Sequence, residues 1–131
     1  MTKTRKEKKK LTAAQEEVMQ VLWKIEKGNI KDILKQIPNP KPVYNTIATV
    51  LRVLGNKGFV AHEEVGVLYQ FYPLITKEEY AKSQAKNFIK AYFESSFQKL
   101  TTVFAKEENL SLSDIEQINL IFAAAKESKK E

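Results

Sequence analysis

The chain of 131 residues has no cysteine. That absence excludes disulfides, thiolate metal sites and cysteine catalysis, and it fits a reducing compartment. His62 is the only histidine. One imidazole without thiolates makes no metal site, so His62 reads as an ordinary strand residue. Ser95, Ser96 and Ser111 have no partner base beside them, and Glu63–Glu64 have no pocket signature, so the expectation is a protein that is not an enzyme. No stretch approaches the roughly 20 apolar residues of a membrane span. The N-terminal "MTKTRKEKKK" runs into "LTAAQEEVM" rather than an apolar core, which is not the pattern of a secretory signal. The expected protein is soluble and cytoplasmic, with no cofactor, no metal and no direct membrane binding.

What is present is apolar material enough for a core, at 43% of residues, and a net charge of +6. Residues 1–10 hold six Lys/Arg against one Glu, whereas residues 74–131 hold nine of each sign. The basic balance is therefore chiefly a tail. It reads as a solvated segment or as a flexible arm along a polyanion.

Hydrophobic periodicity divides the rest. Thr12-x-x-Gln15 is a capping box, and Val18, Val21, Leu22 and Ile25 follow at helical spacing, with Met19 and Trp23 widening the face. Gly28 is the expected stop. Asn29 caps a short second helix through Ile30, Ile33, Leu34 and Ile37. A third helix is expected from near Pro42, with Val43, Ile47, Val50, Leu51 and Leu54 as its apolar stripe and Gly55 and Gly58 at its end. "GFVAHEEV" and "LYQFYPL" then read as a hairpin turning at Gly66-Val67. Beyond Pro73, Thr76-x-x-Glu79 opens a long helix, a shorter segment surrounds Leu100 to Ala105, and Ser113-x-x-Glu116 opens the last helix. The predicted organisation is a basic flexible tail over 1–10, a first domain over 11–73, a helical domain over 74–126 and a disordered tail over 127–131.

Three short helices and a hairpin are the order of a winged helix-turn-helix, so the fold class is mainly α with a small antiparallel β-hairpin. In that arrangement the third helix enters a DNA major groove. No acid occurs from Pro38 to His62, and Asn45, Thr49 and Arg52 share one helix face. Arg52 suits guanine or phosphate and Asn45 suits adenine. Tyr44, Thr46 and Ala48 complete the candidate surface. Lys41 and Lys57 at the two ends suit phosphates, and Gly66 marks the wing tip against the backbone or minor groove. In the second half, Phe88, Tyr92, Phe93, Phe97, Leu100, Phe104, Ile118, Ile121 and Phe122 form an apolar set too large for so short a segment to hide. It reads as the shared core of a homodimer, with a ligand pocket as the other use of the aromatics.

The stretches "LTAAQEEVMQVLW", "YNTIATVLRVLGNKGFVAHEE", "YQFYPLI" and "KNFIKAYFESSFQKLTTVFAKEENLSLSDIEQI" resemble the BlaI/MecI/CopY penicillinase-repressor family over roughly residues 11–122. The resemblance implies a transcriptional repressor whose winged-helix half binds DNA and whose helical half dimerises on a pseudo-palindromic operator. It also implies derepression of the β-lactam-resistance type: a membrane-bound sensor metalloprotease as partner, and a cut before Phe104, at the Val103–Phe104 bond. The family's β-lactam repressors have Asn where this chain has Val103. The family as a whole often has Arg at the position of Val53 and Ser-Pro at that of Val43-Tyr44. The copper-responsive branch carries cysteines that this chain lacks. The alternative function is a nonspecific or architectural DNA-binding protein.

Overall fold

The computed structural model describes residues 10–107 and 110–130. Residues 1–9 of the expected basic tail over 1–10, and Glu131, lie outside them. The chain forms two compact units, divided between Ala85 and Lys86.

In the first unit, α1 (Ala13–Ile25), α2 (Ile30–Gln36) and α3 (Tyr44–Asn56) precede a two-stranded antiparallel sheet of β1 (Val60–Val65) and β2 (Leu68–Pro73). The start of α1 follows from local chemistry. Thr12 Oγ1 accepts from the Gln15 amide at 3.2 Å, and Gln15 Oε1 accepts from the Thr12 amide at 3.1 Å. Asn29 and Asp32 make the same reciprocal pair at α2. Each box satisfies N–H groups that a first helical turn leaves without partners. The apolar faces then close on one core. Val18, Met19, Leu22, Ile33, Ile47, Leu51, Leu54 and Phe59 are all essentially inaccessible to solvent.

Gly28 does not stop α1. The helix ends at Ile25, and Glu26 caps it at φ 74°. Gly28 instead joins the sheet. Its N–H donates to Phe71 O at 3.0 Å and its carbonyl accepts from Phe71 N at 2.8 Å. A Cβ at this position would lie 2.8 Å from Ile25 Cδ1 and 3.0 Å from Asp32 Cβ, so any larger residue would have to push these side chains aside. Gly66 has a different role: its φ of 65° opens the two-residue turn that pairs Val65 with Leu68 and fixes the register, which Val65 and Val67 on either side of Gly66 leave open in the sequence.

The first unit extends past Pro73. Ile75 and Tyr80 are buried in its core. Tyr80 Oη accepts from the buried Leu11 amide at 2.9 Å, and Trp23 Nε1 donates to Ile75 O at 2.8 Å. The opening turns of α4 (Lys77–Phe93) therefore complete the first unit, and Thr76 and Glu79 cap them reciprocally.

The second unit contains the end of α4, then α5 (Phe97–Ala105) and α6 (Leu112–Lys129). The last helix opens at Ser111 with Asp114, not at Ser113 with Glu116. Both pairs have the box spacing, and the earlier one satisfies two amides and lengthens the helix. The expected disordered end from 127 is helical through Lys129, where the last turn's lysines complement the helix dipole.

Candidate nucleic-acid interface

α3 begins at Tyr44, later than Pro42 suggests. Val43 is its N-cap, extended at φ −80° and 67% exposed, so it does not belong to the apolar stripe. A valine side chain cannot accept a hydrogen bond, and none caps this helix. The first turn of α3 also has no acidic residue. Its first N–H groups and the positive end of its dipole thus face outward without a competing anion, a setting that suits a phosphate.

Ile47, Leu51 and Leu54 anchor the buried face of α3. Opposite them, Asn45, Thr49 and Arg52 are exposed, as their spacing of four and three requires. Asn56 extends the same row by four residues and is exposed as well. The row spans ~16 Å of helix axis at ~1.5 Å per residue. The sequence pattern hides Asn56 because Gly55 suggests an earlier helix end, yet its spacing from Arg52 is a signal that could have found it. Tyr44 and Thr46 are exposed on the flanks, while Ala48 is partly buried against the core.

Two expected phosphate-binding lysines are engaged elsewhere. Lys41 Nζ donates to Leu34 O at 2.7 Å and also to Ile37 O, the carbonyl end of α2. Lys57 Nζ donates to Gln15 Oε1 at 3.2 Å. Helix carbonyls and a buried amide offer these ammonium groups nearer partners than solvent, which spacing along the chain does not reveal. Lys41 tethers the α2–α3 turn, and Lys57 ties the end of α3 to the start of α1.

The wing flanks this helix. Gly66 is at its tip, with no atom within 4 Å of a built Cβ. Val67 beside it is 100% exposed. One wing face turns toward α3, where Arg52, Gly55, Asn56, His62, Tyr69 and Phe71 line an open concavity. The reverse face is clasped by Lys27, whose Nζ lies 2.6 Å from Glu63 Oε2 and 5.5 Å from the centre of the Tyr72 ring. The hydrogen bond that Lys27 donates to Glu63, then the Glu63 charge, hold the Lys27 ammonium above the ordinary lysine value. Among the described residues no group of histidine and carboxylate side chains could hold a metal ion, and no helix is long and apolar enough to cross a membrane.

The second-half candidates are grouped in the second unit. Phe88 packs 5.0 Å from Tyr92 and 5.9 Å from Phe93, and Phe97 meets Phe122 edge-on at 5.5 Å between ring centres. Ile118 and Ile121 lie on α6, and Leu100, Val103 and Phe104 on α5.

A family model described as penicillinase repressor matches residues 11–124. The methicillin resistance regulatory protein MecI of Staphylococcus aureus (strain N315) is 28% identical over 112 residues, which cover 85% of this chain and 91% of MecI. The penicillinase repressor of Bacillus licheniformis is 26% identical over 126 residues, covering 92% of this chain and 95% of that protein. Among solved structures, the Bordetella bronchiseptica regulator BpsR, described for control of its DNA binding by 6-hydroxynicotinic acid, is similar at a TM-score of 0.47 and 18% identity, over 93% of this chain and 78% of BpsR. The sequence resemblance is borne out, and with a family match spanning nearly its whole length the chain belongs to the penicillinase repressors, DNA-binding transcriptional repressors that are not enzymes.

Proposed function

We propose that the chain represses transcription as a homodimer on a pseudo-palindromic operator, and that a membrane-bound sensor metalloprotease relieves repression by cutting Val103–Phe104. Each protomer presents Asn45, Thr49, Arg52 and Asn56 to one half-site, and the second units join the protomers. Two half-sites ~34 Å apart then read as one site, and linkage raises the second contact to an effective concentration in the millimolar range.

The observation that carries this reading is the surface of the second unit. Neither α5 nor α6 has a buried residue. Phe88, Phe97, Phe104, Ile118 and Phe122 are exposed, as are Tyr92 at 73% and Ile121 at 64%. Monomeric proteins rarely leave so many large apolar side chains of one short segment in water. A second copy brings the same surface to a two-fold axis and covers it. The names of the relatives, which refer to methicillin resistance and penicillinase, support regulation of the β-lactam-resistance type. Val103 and Phe104 are about half exposed near the end of α5. A helix of nine residues is below the ~12–15 that hold alone, so its last turn can open into the extended form a protease grips.

The test is binding at ~150 mM salt, where exposed charges are screened beyond ~8 Å. A duplex from upstream of the chain's own gene is compared with its shuffled counterpart. A preference of a hundredfold, ~2.7 kcal/mol, with two chains per duplex by sedimentation, is the expected result. Arg52→Ala and Asn45→Ala should remove the preference and leave the dimer. One chain per duplex, or variants that bind as the parent does, would refute the dimeric reading or the assigned face respectively. Equal affinity for both duplexes would favour the architectural alternative.

A further inference from the structure

The wing differs from what a phosphate-gripping hairpin needs. From Gly58 to Thr76 there is no lysine or arginine, and there are two glutamates, Glu63 and Glu64. His62 is the one wing side chain that can become positively charged. It lies on the face toward α3, on the same concavity as Arg52 and Asn56. Its ring is held in place by two neighbours, Tyr69 at 4.6 Å and Phe71 at 5.6 Å between centres. Among the described residues no hydrogen bond or ion pair engages the imidazole, so both ring nitrogens remain open to a ligand.

We propose that His62 is the wing's DNA contact, a proton-gated clamp whose imidazolium grips a backbone phosphate beside the groove occupied by α3. The inference rests on the reading of α3 as the DNA-facing helix. Imidazoles take up a proton between about pH 8 and pH 5. Once protonated, His62 adds one cation to a wing that otherwise carries only acids, and the phosphate pairs with it as it would with a lysine. The charged groups around it are few. Arg52 faces it from α3, Glu64 shares its wing face beside Tyr69, and Glu63 points to the reverse face, bound by Lys27. The Lys27 ammonium is held above the ordinary lysine value, so that clasp keeps its charge throughout the window. Arg52 is permanently charged. Tilted against Tyr69 and Phe71, the His62 ring is already on the concavity that Arg52 and Asn56 line.

The size of the effect follows from counterion release. Each phosphate neutralised on duplex DNA adds ~0.9 to the slope of log affinity against log salt, which at ~0.15 M salt is a factor of about five. The experiment measures anisotropy of the labelled upstream duplex with the full chain at about pH 8 and about pH 6, over a salt series. The parent should tighten about fivefold and steepen by about 0.9 in salt slope on acidification. His62→Gln, neutral at both pH values, should keep the weaker affinity throughout. His62→Lys should keep the tighter affinity at both. A His62→Gln variant with the parent's pH response, or a parent with none, would overturn the proposal. Arg52→Ala in the same series reads the α3 face separately: its loss of binding alongside a flat parent profile would leave that face standing and remove only the role of His62.

Discussion

Removing one oxygen atom, by Tyr80→Phe, tests how the first unit is closed. Tyr80 comes from α4, yet it is 6% exposed and its hydroxyl accepts from the Leu11 amide at 2.9 Å across 69 residues of sequence. Leu11 is itself buried. A phenylalanine keeps the ring and its contacts, 5.8 Å to Trp23 and 6.0 Å edge-on to Phe59. The variant therefore isolates the hydrogen bond. Its loss leaves a buried N–H without an acceptor, which costs about 1–3 kcal/mol. Trp23 is the only tryptophan and its ring is tilted against that of Tyr80, so its fluorescence reports this unit alone. With a urea slope of about 1 kcal/mol/M for so small a unit, the midpoint should fall by roughly 1–3 M. Protein concentration must be held fixed, because association shifts apparent stability. A midpoint within about 0.3 M of the parent would mean that water or another group serves the Leu11 amide, and that the start of α4 is merely adjacent to the core rather than bonded into it.

Two further substitutions probe the sheet and the apolar surface. Gly28→Ala places a Cβ 2.8 Å from Ile25 Cδ1 and 3.0 Å from Asp32 Cβ, between backbone bonds that hold Gly28 to Phe71. Overpacking of this kind costs about 1–3 kcal/mol, a fall of at least ~4 °C in the melting temperature of a small domain, and an unchanged melting curve would show that the α1–α2 turn yields freely. Phe122→Glu puts a charge on the exposed apolar surface of α6 beside Phe97. Sedimentation at micromolar concentration should find a monomer whose Trp23 emission stays native; a persistent dimer would place the interface elsewhere.

Local hydrogen bonding is legible in the order of residues. Thr12 with Gln15, Asn29 with its following turn, and Thr76 with Glu79 start helices where their spacing says they should. The turn at Gly66-Val67 and the row of Asn45, Thr49 and Arg52 follow equally from periods of two and 3.6 residues. These features depend on atoms within a few residues of one another, so the sequence alone determines them, together with the order of elements and the family. Tertiary contact decides the rest. Gly28 looks like a helix stop until Phe71 pairs with it. Lys41 and Lys57 look like free cations until the carbonyls of α2 and the amide of Gln15 come within reach. The first unit seems to end at Pro73 until Leu11 claims the hydroxyl of Tyr80. In each case the deciding partner is distant in sequence or rests on a backbone group that every residue carries, so no pattern of side chains marks it; only the folded geometry brings the two together.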